Sequence, residues 1–290
     1  MKIFFLPLLA LALPLAGFSQ TAIVVKEVSA NMSKGINTGV EAEIPATSIK
    51  DVERDWKRRL TTGSKAKLTE TNGEIIVRGI DNKDISAKPF NLYSILNTNN
   101  DGVKLTVWVT NNDTVFFTSK SASLLVHDFA TAEYFLATKT MYQKERDKLE
   151  KLKDDLEKSI KNQEKSNLKI TDNKRAIARA QDDLMTNEND QKEASSAITL
   201  QQAELNKDRS GNPEIYKAAE KELKEMEDAR KKLQDRNQGL HKKIDEWNKE
   251  VATEERNITT EKQSQAQTSA AIEKQKALIS NLAAKLKSIK

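Results

Sequence analysis

Cysteine is absent from this 290-residue chain. Without thiols the protein can form no disulfide, no thiolate metal site and no cysteine nucleophile, and no cysteine can carry the lipid of a bacterial lipoprotein. The fold must therefore be held by core packing and helix pairing alone.

Long hydrophobic runs are also lacking. The longest apolar stretch, near the amino terminus, is about 14 residues long and contains Pro7 and Pro14, whereas a membrane-spanning helix needs about 20 residues. It ends at the small residues Gly17 and Ser19, which suit signal peptidase. We predict a cleaved secretory signal peptide over residues 1–20, with no membrane span or lipid anchor in the mature form.

Export and the lack of disulfides together indicate a bacterial envelope protein, periplasmic or extracellular and soluble after signal cleavage. The charge is nearly balanced, because 48 basic residues face 43 acidic ones and give a formal net charge of +5. The two signs are interleaved, as on solvated helix faces, and no basic stripe marks a nucleic-acid interface. We therefore expect no nucleic-acid partner.

Glycine and proline are scarce in the second half of the chain. The last 170 residues contain one proline, Pro213, whereas seven of the nine glycines lie at or before Gly102. Helices tolerate long glycine-free segments and sheets need turn residues. This contrast predicts an α+β domain over residues 21–121 and a helical region over residues 122–290.

Alternating apolar residues predict strands in the first region. The clearest run has Val103, Leu105, Val107 and Val109 on one face, and Asn72-Gly73 is typical of a tight hairpin turn. Two amphipathic helices accompany the strands. Ser48 caps the first helix, whose apolar stripe is Ile49, Val52, Trp56 and Leu60. The second helix starts at Ser121 or Ser123, and its apolar stripe is Leu125, Phe129, Ala132 and Leu136. We predict a small antiparallel sheet of five to seven strands with both helices on one face.

Heptads dominate the rest of the chain. Residues in one phase of the first arm are Tyr142, Leu149, Leu156, Gln163, Ile170, Ile177, Leu184, Gln191, Ile198 and Leu205. A matching seam follows Tyr216, and random sequence loses such phase within two or three repeats. The pattern predicts a long antiparallel α-helical coiled-coil hairpin with arms at 122–207 and 214–290 and a turn near 208–213.

The heptads also set a register. Ile170 should face Glu254 and Gln163 should face Glu261, so the middle of the hairpin should be polar on both arms. An alternative is a helix break near residues 187–190 and a shorter three-helix bundle.

The sequence contains no recognisable set of catalytic, cofactor-binding or metal-binding residues. His127 and His241 stand alone on predicted helices without ligand spacing. Asp51, Glu53 and Asp55 are carboxylates on the first helix, and we expect solvated charges there, because a general acid or base needs a desolvated pocket. The sequence predicts a protein that is not an enzyme and takes no cofactor.

Trp108 is the most suggestive residue of the first region. Strand alternation places it on the polar face with Lys104, and Arg78 is a second cation expected nearby. An exposed aromatic ring beside cations suits contact with a partner. The alternative, which we favour, is that Trp108 packs under a loop or against the coiled coil.

These features predict an exported, non-enzymatic scaffold or interaction protein of the cell envelope, which uses a rigid coiled-coil arm to reach or hold a protein partner. The polar seam of the first arm would also permit a homo-oligomer. In its β-body, helical arms, export signal and basic pI the chain resembles Skp-type chaperones, which implies the alternative of a periplasmic holdase. In that family a final strand returns to the body, whereas here the second arm runs to Ser288-Ile289-Lys290. A second alternative is a coiled-coil regulator of a cell-wall enzyme, resembling activators of cell-wall hydrolases.

Overall fold

The computed structural model describes residues 22–63, 65–207 and 213–289. The strands are β1 (Val25–Met32), β2 (Gly35–Pro45), β3 (Lys67–Thr71), β4 (Glu74–Ile80), β5 (Phe90–Thr98), β6 (Gly102–Thr110) and β7 (Phe116–Phe117). The helices are α1 (Ile49–Thr61), α2 (Lys120–Lys207) and α3 (Pro213–Ser288). The expected signal peptide at 1–20 and most of the expected turn at 208–213 lie outside the described residues.

The seven strands form one antiparallel sheet, which confirms the α+β prediction. Its order is β1-β2-β6-β5-β4-β3, and the short β7 pairs with the end of β6. Asn72 and Gly73 join β3 to β4 with positive φ angles of 52° and 78°, as the hairpin turn requires. Residues that pair across the sheet carry alternating apolar side chains, so each strand has one face toward the main core.

The main core lies between one face of the sheet and the two helices α1 and α2. Val103, Leu105, Val107 and Val109 all point into it, as the alternation predicts. Three segments pack on this face of the sheet: the apolar stripe of α1, the start of α2, and Ile289, which follows α3 and is partly buried. Each buried aliphatic or aromatic side chain contributes about 1.5–3 kcal/mol to folding. This layer is the stabilising centre of the sheet.

Helix α1 follows the sequence prediction closely. The Ser48 side chain accepts a hydrogen bond from the backbone N–H of Asp51, at 3.2 Å, and thereby satisfies one of the unpaired donors of the first turn. Val52, Trp56 and Leu60 are buried against the sheet. The predicted cap and stripe are confirmed.

The start of α2 differs from the prediction in both boundary and face. The helix begins at Lys120, because Ser119 rather than Ser121 or Ser123 caps it and accepts a hydrogen bond from the N–H of Ala122 at 3.0 Å. The buried face carries Ala122, Val126, Phe129, Ala130, Glu133 and Tyr134. Of the predicted stripe, Ala132 and Leu136 are exposed, since the packing against α1 and the sheet rotates the buried face by part of a turn.

A second, smaller core covers the opposite face of the sheet. Met32, Ile76, Tyr93 and Trp108 are buried there. Ile76, Tyr93 and Trp108 lie side by side on the neighbouring strands β4, β5 and β6, whereas Met32 comes from the distant edge strand β1. The β1–β2 hairpin curls across this face, because the N–H of Ser33 at its tip donates to the Glu74 carboxylate of β4 at 2.5 Å. The curled hairpin encloses side chains that a flat sheet would leave in water.

Gly39 lets β2 approach β6 closely enough for this curl. A Cβ atom at position 39 would lie 2.5 Å from the Val107 carbonyl oxygen and 2.7 Å from Cδ1 of Trp108. The Trp108 ring lies against β2, and its Nε1 donates to the Asn37 carbonyl at 3.1 Å. A side chain at position 39 would therefore displace the ring.

Replacing Gly39 by alanine should destabilise the sheet by about 1–3 kcal/mol, because the added methyl overpacks the Trp108 contact. Urea unfolding followed by tryptophan fluorescence measures the loss. The matched control is Gly239→Ala, where a Cβ would meet nothing within 4 Å inside α3. That change should stabilise by about 0.5–1 kcal/mol through helix propensity. Wild-type stability in Gly39→Ala would contradict the close approach.

Residue contacts divide the chain into two compact units, residues 1–149 with 274–290, and residues 150–273. Helices α2, with 88 residues, and α3, with 76, take part in both units. They pack together as a helical hairpin, and α2 continues unbroken through residues 187–190, so the three-helix alternative is wrong. Within the described parts of the chain, no helix is long and apolar enough to cross a membrane.

The contacts between α2 and α3 in the second unit agree with the register of the heptads. Glu254, which the heptads place opposite Ile170, accepts hydrogen bonds from Ser166 at 2.7 Å and from Lys169 at 2.8 Å. Both donors lie within one turn of Ile170. The helices are therefore antiparallel, with the pairing that the sequence predicts.

The same unit has the polar middle that the sequence predicts. Glu261 accepts a hydrogen bond from Ser159, and Gln265 donates to Gln163 at 2.9 Å. Ser159 is polar, yet it is buried where the two helices meet. These contacts fix side-chain pairing but bury little apolar area, so this segment gains less from the hydrophobic effect than the apolar levels do.

Cysteine cross-linking tests the pairing against a cysteine-free background. The double variant Ser166→Cys, Glu254→Cys should react within one molecule with a short bismaleimide, because the native side chains are in hydrogen-bond contact. The mismatched control is Ser159→Cys, Glu250→Cys, since Glu250 contacts Asn173, 14 residues from Ser159 and about 21 Å along the helix. Gel mobility measures the product. Equal reaction of both pairs, or dimeric products alone, would contradict the hairpin.

Candidate functional site

The structure places two of the three residues proposed for partner contact, Trp108 and Arg78, in and beside one core, and it places Lys104 apart from them. Trp108 is 1% exposed and belongs to the smaller core, so the exposed-ring hypothesis is wrong and the packed alternative holds. Lys104 lies 3.7 Å from the carboxylate of Glu41. Because the β1–β2 hairpin curls over Trp108, the ring offers no accessible surface in this structure.

Arg78 joins the edge of the same core. Its guanidinium pairs with Asp113 at 2.5 Å and lies 5.7 Å from the centre of the Tyr93 ring. The Tyr93 hydroxyl is buried between these charges, which shift its pKa, yet it makes no hydrogen bond of good geometry. Burial raises the pKa of Tyr93, so the hydroxyl stays protonated at neutral pH. Arg78 therefore covers a core instead of presenting a free cation.

Asp55 on α1 is buried, which corrects the expectation of a solvated carboxylate. It is 8% exposed, whereas Asp51 of the same helix is exposed. Arg54 donates two hydrogen bonds to Asp55, at 2.9 and 3.0 Å, and Arg58 donates a third at 2.8 Å. The hydrogen bond from Arg54 is the largest effect that lowers the pKa of Asp55, so this carboxylate stays ionised.

Glu133 on α2 is a second buried carboxylate beside this cluster. It is 8% exposed, and among the described residues no hydrogen bond or ion pair reaches it, since Asp55 holds Arg54 and Arg58. Burial away from water, and then the charge of Asp55, raise the pKa of Glu133 to about 7. The nearby arginines reduce this effect without removing it.

An open groove of about 670 Å³ connects the two carboxylates with solvent. The α1 side is formed by Asp55, Arg58, Arg59 and Thr62, and the α2 side by Leu125, Asp128, Phe129, Ala132 and Glu133. The first wall is therefore mainly charged, whereas the α2 wall combines three apolar residues with the carboxylates of Asp128 and Glu133. A concave surface that joins an apolar wall to a few polar groups is the usual form of a binding site, and a strongly shifted pKa often marks a functional one.

Glu133 was not predicted from the sequence, although a signal was present. Val126, Ala130 and Tyr134 recur at intervals of four, and Glu133 interrupts the apolar face that they define. A charged residue on such a face is rare unless it is paired. The stripe chosen from the sequence started one residue earlier, at Leu125, and so left Glu133 on the polar side.

The helix pair of the second unit carries a different polar cluster. Hydrogen bonds from Lys169 and Ser166 lower the pKa of Glu254 to about 2, so this carboxylate keeps its charge and its partners over the physiological range of pH. Three heptads nearer the turn, Asn187 is buried, and its amide nitrogen has no partner among the described residues. These contacts explain how α2 pairs with α3, whereas the groove between α1 and α2 is the better candidate for a ligand-binding site.

No cluster of three or more histidine, aspartate or glutamate side chains in residues 22–63, 65–207 and 213–289 is placed to hold a metal ion. His127 lies 3.5 Å from Asp128 and half-exposed on α2. Comparison with models of known protein families finds no match, and comparison with characterised proteins finds no similar sequence.

Glu133 should make the stability of the protein depend on pH. Its folded pKa of about 7 lies above the ordinary value of 4.5, so the charged form is destabilising, and stability should fall as pH rises from about 4.5 to about 7. The full shift corresponds to about 3 kcal/mol. Glu133→Gln should therefore gain about 2–3 kcal/mol at pH 8 and almost nothing at pH 4.5 in urea unfolding.

The control for this experiment is Asp128→Asn, which removes a carboxylate from the same groove. The Asp128 side chain is 66% exposed, so its removal should leave the pH slope unchanged. A Glu133→Gln variant with the wild-type slope would show that Glu133 is not desolvated in the folded protein.

Proposed function

We propose that this protein is an exported, non-enzymatic scaffold of the bacterial cell envelope, in which α2 and α3 form an antiparallel coiled coil that holds a protein partner. The observation that carries the proposal is the pairing of two helices of 88 and 76 residues in a 290-residue chain. Such a pair supplies length and side-chain surface, which are what a scaffold needs.

Burial along the two helices supports the coiled coil. The seam positions of the first arm include the buried residues Leu184, Ile198 and Leu205, and those of the second arm include Val251 and Ile272. Most residues outside the seams are exposed. A seam that is buried by the partner helix leaves the outward faces free for a protein partner.

Export rests on the sequence. The apolar stretch before Gln20 has the length of a signal peptide and falls short of a membrane span. The lack of cysteine suits an envelope protein that folds without disulfides. Periplasmic or extracellular localisation is therefore part of the proposal.

A holdase is the second candidate function. Large apolar side chains are exposed on the outward faces of the paired helices, and they are Leu168, Met185, Leu200 and Ile215. They do not form one continuous stripe. Scattered apolar contacts suit weak binding to many unfolded clients better than one specific interface.

Photo-cross-linking in cells distinguishes the two candidates. A photoreactive amino acid at Met185, which is 62% exposed, should give one or a few adducts of defined mass if the protein is a scaffold. A holdase should instead give a broad series of adducts with outer-membrane proteins. Mass spectrometry identifies the adducts.

The matched control carries the same amino acid at Ile36, an exposed residue of the sheet. A scaffold that uses its helices should give no adducts, or different ones, from this position. The absence of adducts from both Met185 and Leu200 would overturn the scaffold and the holdase together. Identical adducts from Ile36 and Met185 would show non-specific capture.

A further inference from the structure

We infer that the groove between α1 and α2 binds a cationic side chain, a lysine or arginine of a partner polypeptide, with the Glu133 carboxylate as its anionic contact. The inference names a partner chemistry for the proposed scaffold and takes its biological meaning from that proposal. The binding itself depends on the groove alone, which belongs to the first unit.

The native cations nearest to Glu133 are already paired with other carboxylates. Arg54 pairs with Asp51 at 3.1 Å and with Asp55 at 2.9 Å, and Arg58 pairs with Asp55 at 2.8 Å. These four charges balance each other. Glu133 is therefore left as a residue that is more than nine-tenths buried, and its carboxylate, at the wall of the groove, has no hydrogen-bond or ion-pair partner among the described residues.

The other charged residues of the groove do not balance each other. Besides the balanced set, the groove is lined by Glu133 and Asp128 on α2 and by Arg59 on α1. With Glu133 ionised, the excess is negative. An unpaired buried carboxylate is costly, so a cation that enters the groove removes a penalty that the free protein carries.

The wall beside Glu133 also offers an apolar surface. Phe129 is buried, Leu125 is half-buried and Ala132 is exposed, so the groove has an apolar side that continues toward exposed Leu136. Lysine and arginine have apolar stems and charged ends, and they bury the stem while the charge stays at a polar contact. Such a side chain fits both walls better than a small inorganic cation does.

Binding should depend on pH, because the cation pairs with ionised Glu133. The charged groups that face Glu133 from α1 are Asp51, Arg54, Asp55 and Arg58, Asp128 precedes it on α2, and Lys285 of α3 lies over the adjacent Tyr134 ring at 5.0 Å. With a pKa of about 7, Glu133 is about one-tenth ionised at pH 6 and nine-tenths ionised at pH 8. Affinity should rise about tenfold across this range.

The test uses the full-length mature protein and two acetylated, amidated peptides, Leu-Arg-Leu and Leu-Gln-Leu, with N-acetyl-arginine amide as the single-residue probe. Carboxyl ¹³C resonances of labelled glutamate report binding, and the Glu133 resonance is assigned as the one missing from Glu133→Gln. The arginine peptide should shift this resonance and bind about tenfold more tightly at pH 8 than at pH 6. The glutamine peptide should bind at least tenfold more weakly at pH 8.

Variants decide which group is responsible. Glu133→Gln, which we expect to be more stable than the wild type at pH 8, should lose the pH dependence and most of the affinity. Asp128→Asn should keep the pH dependence. Arg59→Gln should strengthen binding of the arginine peptide two- to threefold by removing a like charge, whereas weaker binding would indicate that the groove prefers an anion and would overturn the inference.

Other outcomes are equally decisive. Equal affinity for the two peptides, or unchanged affinity in Glu133→Gln, would overturn the inference. Tighter binding of N-acetyl-arginine amide than of the peptide would contradict a polypeptide ligand. Peptide binding without cellular adducts from the helices would leave the groove site in place and contradict the scaffold, so the two failures are distinguishable.

Discussion

The contact between Trp56 of α1 and Phe129 of α2 determines the arrangement of the first unit. Their ring centroids lie 4.7 Å apart above the sheet, and the Trp56 indole N–H donates to the Ser94 hydroxyl of β5 at 2.8 Å. One hydrogen bond thus orients a large apolar ring that also fixes the phase of α2. Because the two helices are held at this point, Glu133, one turn after Phe129, is brought beside Asp55. The groove is therefore a consequence of core packing rather than of a separate loop.

Both faces of the sheet are buried, and different parts of the chain cover them. Helices cover the first face, whereas the second is covered by the chain's own β1–β2 hairpin. The curl requires the absence of a side chain at Gly39 and a hydrogen bond from Ser33 to Glu74. The second oxygen of Glu74 has no partner, so the closure includes an unsatisfied buried group. The hydrophobic burial of Trp108 and its neighbours has to offset that cost.

Local patterns predicted the elements that depend on local chemistry. Alternation found the core face of β6, and the Ser48 cap and stripe found α1. The heptads found α2, α3 and the position of Glu254 opposite the turn that contains Ile170. Patterns failed where distant segments decide the outcome. Strand alternation assigned Trp108 to a wet face, since a period of two says nothing about a hairpin that folds over it. The burial of Asp55 and Glu133 depends on how α1 packs on α2, which neither helix encodes alone.

Both units retain polar groups at buried positions where apolar residues would be more stabilising. In the helix pair, unpaired amide atoms of Asn187, Gln191 and Asn237 occur among apolar levels of the seam. Polar seam residues of this kind can fix register and discourage other pairings, at a cost in stability. Glu133 differs, because it faces an open groove and no register depends on it. A buried carboxylate that neither pairs nor aligns helices has no structural role to offset its cost. Binding of a cation is the role that its charge, its burial and its apolar neighbours support together.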